Sequence, residues 1–339
     1  MLFKIKNLFS IYALILAFPV ALFSQKDNNK DWVNLKNNPS VNYYEVKKAF
    51  DEYWKNWPKD KKKYGYKQFM RWANFVKPRV APSGDRDLLN KGFDNYFKYK
   101  KRLQKRSIKG DWTYMGNNNV PDTVNGPGGM GRLNRVIFNP NTEDEIFVAS
   151  ASGGLWKSTN KGAAWENKTD QLPSLGVTDV AVDYTNTDII YMATGDGDGM
   201  DAWSVGVWKS TDGGNTWNRT GLDWKVVKQN TINRLLIHPN NPDILLAATS
   251  NGIYKTNDAA TNWTKTQSGQ FMDMEFRPTD PATVYAVGSG SFYRSRNTAD
   301  SFTKLNSDSL PDPSNVRRYS LDVTPAAPDY VYLLGANSR

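Results

Sequence analysis

One turn is written four times in this 339-residue chain. Its cleanest copy runs from Ser210 through Asp212, Gly214 and Thr216 to Trp217, in the pattern Ser-x-Asp-x-Gly-x-Thr-Trp. Degraded copies run from Ser158 through Asn160 and Gly162 to Trp165, from Thr256 through Asp258 to Trp263, and from Ser295 through Asn297 to Phe302. The closing aromatics lie 52, 46 and 39 residues apart. Units of that period, each carrying several short strands, are the sequence sign of propeller blades.

The text between the turns repeats as well. Arg135–Pro140 leads into Glu145–Ser150, Thr178–Asp183 into Ile189–Thr194, and Asn233–Pro239 into Ile244–Thr249. Met272–Pro278 with Val284–Val287 follows the same plan, and Tyr319–Thr324 with Tyr330–Leu334 begins a fifth copy. Each is an apolar, β-rich run, a turn of Pro, Asn and Asp, and a second apolar run, the pattern of a hairpin. A third strand ends in Trp156-Lys157, Trp208-Lys209, Tyr254-Lys255 or Tyr293-Arg294 and enters the turn, and a fourth begins at the closing aromatic. The predicted class is mainly β: a propeller of four-stranded blades, incomplete in this chain.

The turn is explicable residue by residue. A carboxylate at its third position accepts hydrogen bonds from the turn's own amides, and the opening hydroxyl ties the two ends together. Glycine at the fifth position tolerates a positive φ. The aromatic is expected to bury its face between neighbouring sheets. Asn160 and Asn297 keep the acceptor and lose the acid, so Asp212 and Asp258 read as structural rather than catalytic.

This pattern resembles the Asp-box, or bacterial neuraminidase, repeat, and over about residues 110 to 339 the arrangement is similar to the propeller of sortilin-type proteins. Families with this repeat include sialidases, xyloglucanases, receptors and photosystem assembly factors. The resemblance therefore implies a fold and leaves the activity open.

Lys4 and Lys6 precede an apolar stretch from Ile11 to Phe23, and Ser24-Gln25 offers a cleavage site. Residues 1–25 read as a secretory signal, similar to those of Bacteroidota, and the protein is expected to be secreted or displayed at the cell surface. There is no cysteine, so no disulfide stabilises an exported chain. Residues 26–109 carry 23 Lys and Arg against 9 Asp and Glu, whereas residues 110–339 carry 19 against 25. Two surfaces of opposite sign follow.

The basic segment has helical periodicity. Val46, Phe50, Tyr53, Trp54 and Trp57 form one run, Tyr66, Phe69, Met70, Ala73 and Val76 a second, and Leu89, Phe93, Tyr96, Phe97 and Leu103 a third. Pro58 and Pro78 are expected to end the first two. Basic residues among aromatics can signal nucleic acid. In an exported chain the expected reading is a small helical segment, packed on itself or on the propeller, with solvated lysines. No nucleic-acid partner and no transmembrane span after signal removal are expected. A domain boundary falls near 109. The fifth repeat stops at Arg339, where a third strand and another box would follow, so further domains are expected in a longer chain.

Catalytic candidates are few. The lone His238 holds the strand-end position of Asn139 and Arg277 in other repeats. A sialidase requires an arginine cluster and a Tyr nucleophile, and Arg132, Arg135 and Arg234 lack that context. In xyloglucanases an early acid precedes a Gly-Gly pair; here Ala149–Gly154 has Ser in its place. The acidic cluster Asp196, Asp198 and Asp201, on an insertion in the second blade, suits Ca²⁺ by its closely spaced oxygens, with a plain acidic loop as the alternative. Trp203 and Trp224 are candidates for an aromatic platform under a sugar ring or peptide. The expected function is a binding scaffold for a glycan, peptide or protein partner, with no required cofactor; the alternative is a secreted glycoside hydrolase.

Overall fold

The structure, a computed structural model, describes residues 31–55, 65–103, 131–174, 176–198, 202–288, 290–305, 316 and 318–336. The signal segment, Trp57, Pro58, Asp201 and the boundary near 109 lie outside the described residues.

Four helices come first: α1 (Asp31–Asn37), α2 (Tyr43–Trp54), α3 (Tyr66–Val80) and α4 (Leu88–Leu103). Asn42 caps α2 by accepting the Tyr44 amide at 2.9 Å. Helix α3 does not stop at Pro78; it continues to Val80, where the Ala81 amide bonds the Lys77 carbonyl at 3.1 Å. A proline in the last turn breaks little of the ladder, so the predicted stop fails. The core of these helices is aromatic. Phe50 and Phe69 stack with centroids 3.6 Å apart, and Trp32 of α1 meets both edge-on at 5.1 and 5.5 Å. Arg86, only 2 % exposed, donates to the carbonyls of Asn38 and Lys36 at 2.8 and 2.9 Å and fixes the α1–α2 connection. Burial pushes its pKa down to about 10.

The blades follow. Blade one is β1 (Leu133–Asn139), β2 (Thr142–Ser150), β3 (Gly154–Ser158) and β4 (Glu166–Asn167). Blade two is β5 (Val177–Val182), β6 (Ile190–Thr194), β7 (Gly206–Ser210) and β8 (Asn218–Asp223). Blade three is β9 (Ile232–His238), β10 (Asn241–Thr249), β11 (Gly252–Thr256) and β12 (Thr264–Gln267), and blade four is β13 (Phe271–Arg277), β14 (Asp280–Gly288), β15 (Ser291–Ser295) and β16 (Thr303–Leu305). A fifth unit contributes the hairpin β17 (Arg318–Asp322) and β18 (Tyr332–Ala336). All pairings are antiparallel meanders, and the ring is not closed by these strands.

The turn forms as the sequence implies, with one correction. In the second copy, Ser210 Oγ accepts the Gly214 amide at 2.9 Å, and Asp212 accepts the Thr216 amide at 2.8 Å and its hydroxyl at 2.6 Å. Ser158 with Asn160, Thr256 with Asp258, and Ser295 with Asn297 repeat this arrangement. Hydrogen bonds from Thr216 hold the Asp212 carboxyl down at about 2, and those from Asn262 do the same for Asp258. The correction is conformational. Two consecutive residues, not one, have positive φ, and they need not be glycine: Ala259 and Ala260 lie at 55° and 72°, Thr298 and Ala299 at 53° and 65°. The fourth-position amide pins them by bonding the strand hairpin, as Ala259 N does to Asp243 O at 2.9 Å.

Burial separates the two side chains of the turn. Ser210 is fully buried while the amide that Asp212 accepts is exposed. Ser210→Ala is therefore expected to cost about 1–3 kcal/mol, because the buried Gly214 amide loses its acceptor. Solvent access and screening hold the loss from Asp212→Ala to about 1 kcal/mol or less. Paired denaturant titrations give both numbers, and a larger loss from Asp212→Ala would reverse the ranking.

The closing aromatics also divide. Trp217 packs on the preceding blade and donates its indole N–H to the Lys168 carbonyl at 3.0 Å, and Trp263 and Phe302 pack in clusters shared by their own blade and the preceding one. Trp165, expected to be buried, is 41 % exposed, because no described blade stands before blade one.

Candidate functional site: the channel-facing ion cluster

Propeller blades turn their first strands toward the central channel. The third residue of each first strand, in chain order, is Arg135, Asp179, Arg234, Asp273 and Ser320. Opposite charges thus alternate from blade to blade. Asp179 stands 3.4 Å from Arg135 and 3.5 Å from Arg234, and Asp273 stands 3.6 Å from Arg234. Each aspartate also reaches the next blade's backbone: Asp179 accepts the Leu235 amide at 2.9 Å, and Asp273 accepts the Leu321 amide at 3.1 Å and the Ser320 hydroxyl at 2.8 Å. At the other interfaces the neighbouring asparagine makes the link, from Asn134 to Val177 O and from Asn233 to Phe271 O. A similar tie repeats at the far end of the blades. Lys157 and Lys209 donate to the Gly213 and Ala259 carbonyls in the next blade's turn, and Lys255 pairs with Asp300 at 2.7 Å.

Arg234 gathers a third carboxylate, Glu275, which also contacts its guanidinium. Asp179 and Asp273 each accept backbone amides, whereas the one hydrogen bond shown for Glu275 is to Arg234. Burial pushes the Glu275 carboxyl up to about 7, Asp273 adds to the push, and Arg234 opposes it. A folded-state pKa above the ordinary value near 4.5 means that the folded protein binds the proton more tightly than the unfolded chain. Stability is then fullest below about 4.5 and declines as the pH rises through about 7. Glu275→Gln is expected to flatten thermal stability between these limits, and an unchanged pH profile would show that Glu275 does not titrate there.

At one end of the channel Arg132 precedes β1 and pairs with Asp196 and, at 2.7 Å, with Asp198. Arg318 of the fifth unit also pairs with Asp198. Burial lowers the Arg132 pKa, but the hydrogen bonds it donates to Asp196 and Asp198, with their negative charge, outweigh this and raise it. Gly197 between them lies so near blade three that a Cβ would stand 2.5 Å from Asn233 Oδ1. The two described acids of the three in the calcium expectation are therefore held by arginine, and a cation would have to displace it. Among the described residues no group of three or more His, Asp and Glu is arranged to hold a metal. Millimolar Ca²⁺ is expected to leave the melting temperature unchanged; a rise abolished by changing Asp196, Asp198 and Asp201 to Asn would restore the cation reading.

Residues 153–270 match the Sortilin-Vps10 family model, described as sortilin, neurotensin receptor 3. A xyloglucanase from a Paenibacillus species is 30% identical over 159 residues, 43% of this chain and 15% of that protein. Xyloglucanase Xgh74A of Acetivibrio thermocellus is 28% identical over 154 residues, 42% of this chain and 18% of its own length. The chain thus spans less than a fifth of these relatives. Among solved structures, an ancestral GH74 enzyme aligns with a TM-score of 0.51 at 20% identity, over 63% of this chain and 28% of that one. The fold is shared with these propellers.

The other predicted residues make structural contacts. Ser150, in the segment where the resemblance to xyloglucanases would put an acid, donates to the Arg132 carbonyl at 3.2 Å and accepts the Gly153 amide at 3.1 Å. His238 accepts the Asn240 amide and packs edge-on against Phe276 at 5.2 Å; burial lowers its pKa. Trp203 is not a platform. It is 7 % exposed, in one hydrophobic cluster with the helices, with Lys36 Nζ 5.9 Å from its ring. Trp224 is half-buried edge-on against Tyr254 at 5.7 Å. No described helix is long and apolar enough to cross a membrane.

Proposed function

We propose that this chain is an exported propeller that acts as a binding scaffold, holding a glycan, peptide or protein partner at its loops. The observation that carries this reading is the pairing of channel charge. Arg132, Arg135 and Arg234 each face the protein's own carboxylates, and Asp196 and Asp198 each face arginine. A glycosidase needs two carboxyl groups free to exchange protons across a sugar bond, about 6.5–9.5 Å apart for inversion. The described channel-end acids are committed to ion pairs instead.

The second reading, a glycoside hydrolase, is favoured by the 30% identity to a xyloglucanase. One pair of assays separates the two: retardation of the chain in gels containing xyloglucan, and release of reducing ends from the same polymer. Scaffold function predicts that no reducing ends are released, and retardation if the partner is this glycan. Turnover lost on changing Asp196 or Asp198 to Asn would establish the hydrolase. Cell fractionation tests export, and a cytoplasmic chain would refute it.

A further inference from the structure

Outside the channel, three clefts follow one another along α4 and the outermost strand of blade two. The largest, about 620 Å³, lies between Asp94, Phe97 and Lys98 of the helix and Trp208, Trp217 and Arg219 of the blade. A second, about 280 Å³, continues toward Asn90 and Trp224. A third, about 440 Å³, runs over β8 to the Ala259–Thr261 turn of blade three. Arg219 lines all three. Its guanidinium lies 4.7 Å from the Phe97 ring and 3.2 Å from Asp223, so it is fixed in place.

The lining combines two kinds of group. Phe97, Trp217 and Trp224 are half-buried rings, and Asn90, Asn218, Asp94 and Arg219 are planar donors and acceptors. In the two clefts along α4, Asp94 and Asp223 offset all but one of Lys98, Arg219 and Lys225, so little net field favours an ion. Trp208, 1 % exposed at the wall of the largest cleft, has an indole N–H without an acceptor. A sugar ring matches this set: its C–H face lies on aromatic rings, and its hydroxyls pair with planar polar side chains. The succession of clefts suits several joined rings.

We infer that the groove between α4 and β8 binds a neutral oligosaccharide chain, at a site separate from the loops at the channel end. This rests on the glycan branch of the function proposed above. The test uses the full chain, calorimetry and indole N–H resonances, with cellohexaose and xyloglucan oligosaccharides as neutral probes, and a Glu-rich peptide as the contrasting one. A neutral probe is expected to shift the Trp208 indole signal. Asp94→Ala with Asn218→Ala, both at exposed positions, should weaken its binding about tenfold or more. Arg318→Ala at the channel end should leave that affinity unchanged. Binding lost in Arg318→Ala but kept in the groove variant would overturn the inference and leave the scaffold reading intact. No binding of either neutral probe at millimolar concentration, or preferential binding of the peptide in the groove, would also overturn it. The scaffold reading then stands or falls on the channel loops.

Discussion

Asp179→Ala is expected to destabilise the propeller by about 3–5 kcal/mol, the range for removing one partner of a buried ion pair. The side chain is 1 % exposed and accepts the Val180 and Leu235 amides, both at 2.9 Å. Its loss strips the link from blade two to blade three and leaves Arg135 and Arg234 short of a counter-ion. Asp179→Asn keeps an acceptor for the amides and removes only the charge, so its cost should be smaller. Denaturant unfolding of the three proteins measures the difference. A cost below about 1 kcal/mol for alanine would mean that the alternating charges contribute little to joining the blades.

The second large effect concerns the helices. Phe69→Ala should cost about 3–5 kcal/mol, the penalty for an aromatic cavity in a packed core. Phe69 is fully buried between Phe50 and the edge of Trp32, so neighbours on two other helices lose their contact. Whole domains are stable by only about 5–15 kcal/mol, so local opening of α1–α3 should follow. Amide exchange is expected to accelerate in those helices while β6, β10 and β14 remain protected. Equal acceleration in the strands would show that helices and blades open as one unit.

Much of this arrangement was legible because blades repeat. Each hairpin and box could be checked against three others, and the structure has sheets at all of them. The charge alternation was also on view, as Asn134-Arg135 and Asn233-Arg234 against Asp179 and Asp273, but only the topology brings these positions together. The lysines after Trp156, Trp208 and Tyr254 read as the end of a strand; their contacts lie in the next blade, 45 to 56 residues away. The candidate site was harder to read. Asp196 and Asp198 look like cation ligands until Arg132 and Arg318 arrive from 64 to 120 residues away. Trp203 looked available because nothing local shows that helices cover it. Helix α1, only 7 residues long, has too little periodicity to be seen without Trp32's tertiary contacts.

Lys36 and Gln229 exchange hydrogen bonds, Nζ to Oε1 at 3.1 Å and Nε2 to the Lys36 carbonyl at 3.4 Å, while Phe97 lies 5.9 Å from Trp208. Burial pushes the Lys36 pKa down to about 8. These contacts place the helices on blade two although the polypeptide next enters blade one. A mechanical load applied to the helices is therefore shared by two routes, one along the backbone into β1 and one across the face of blade two. Along the second route the contacts are loaded side by side rather than peeled one at a time. If the helices are the held end of the molecule, the ring is gripped at its flank, and tension need not unzip its first strand.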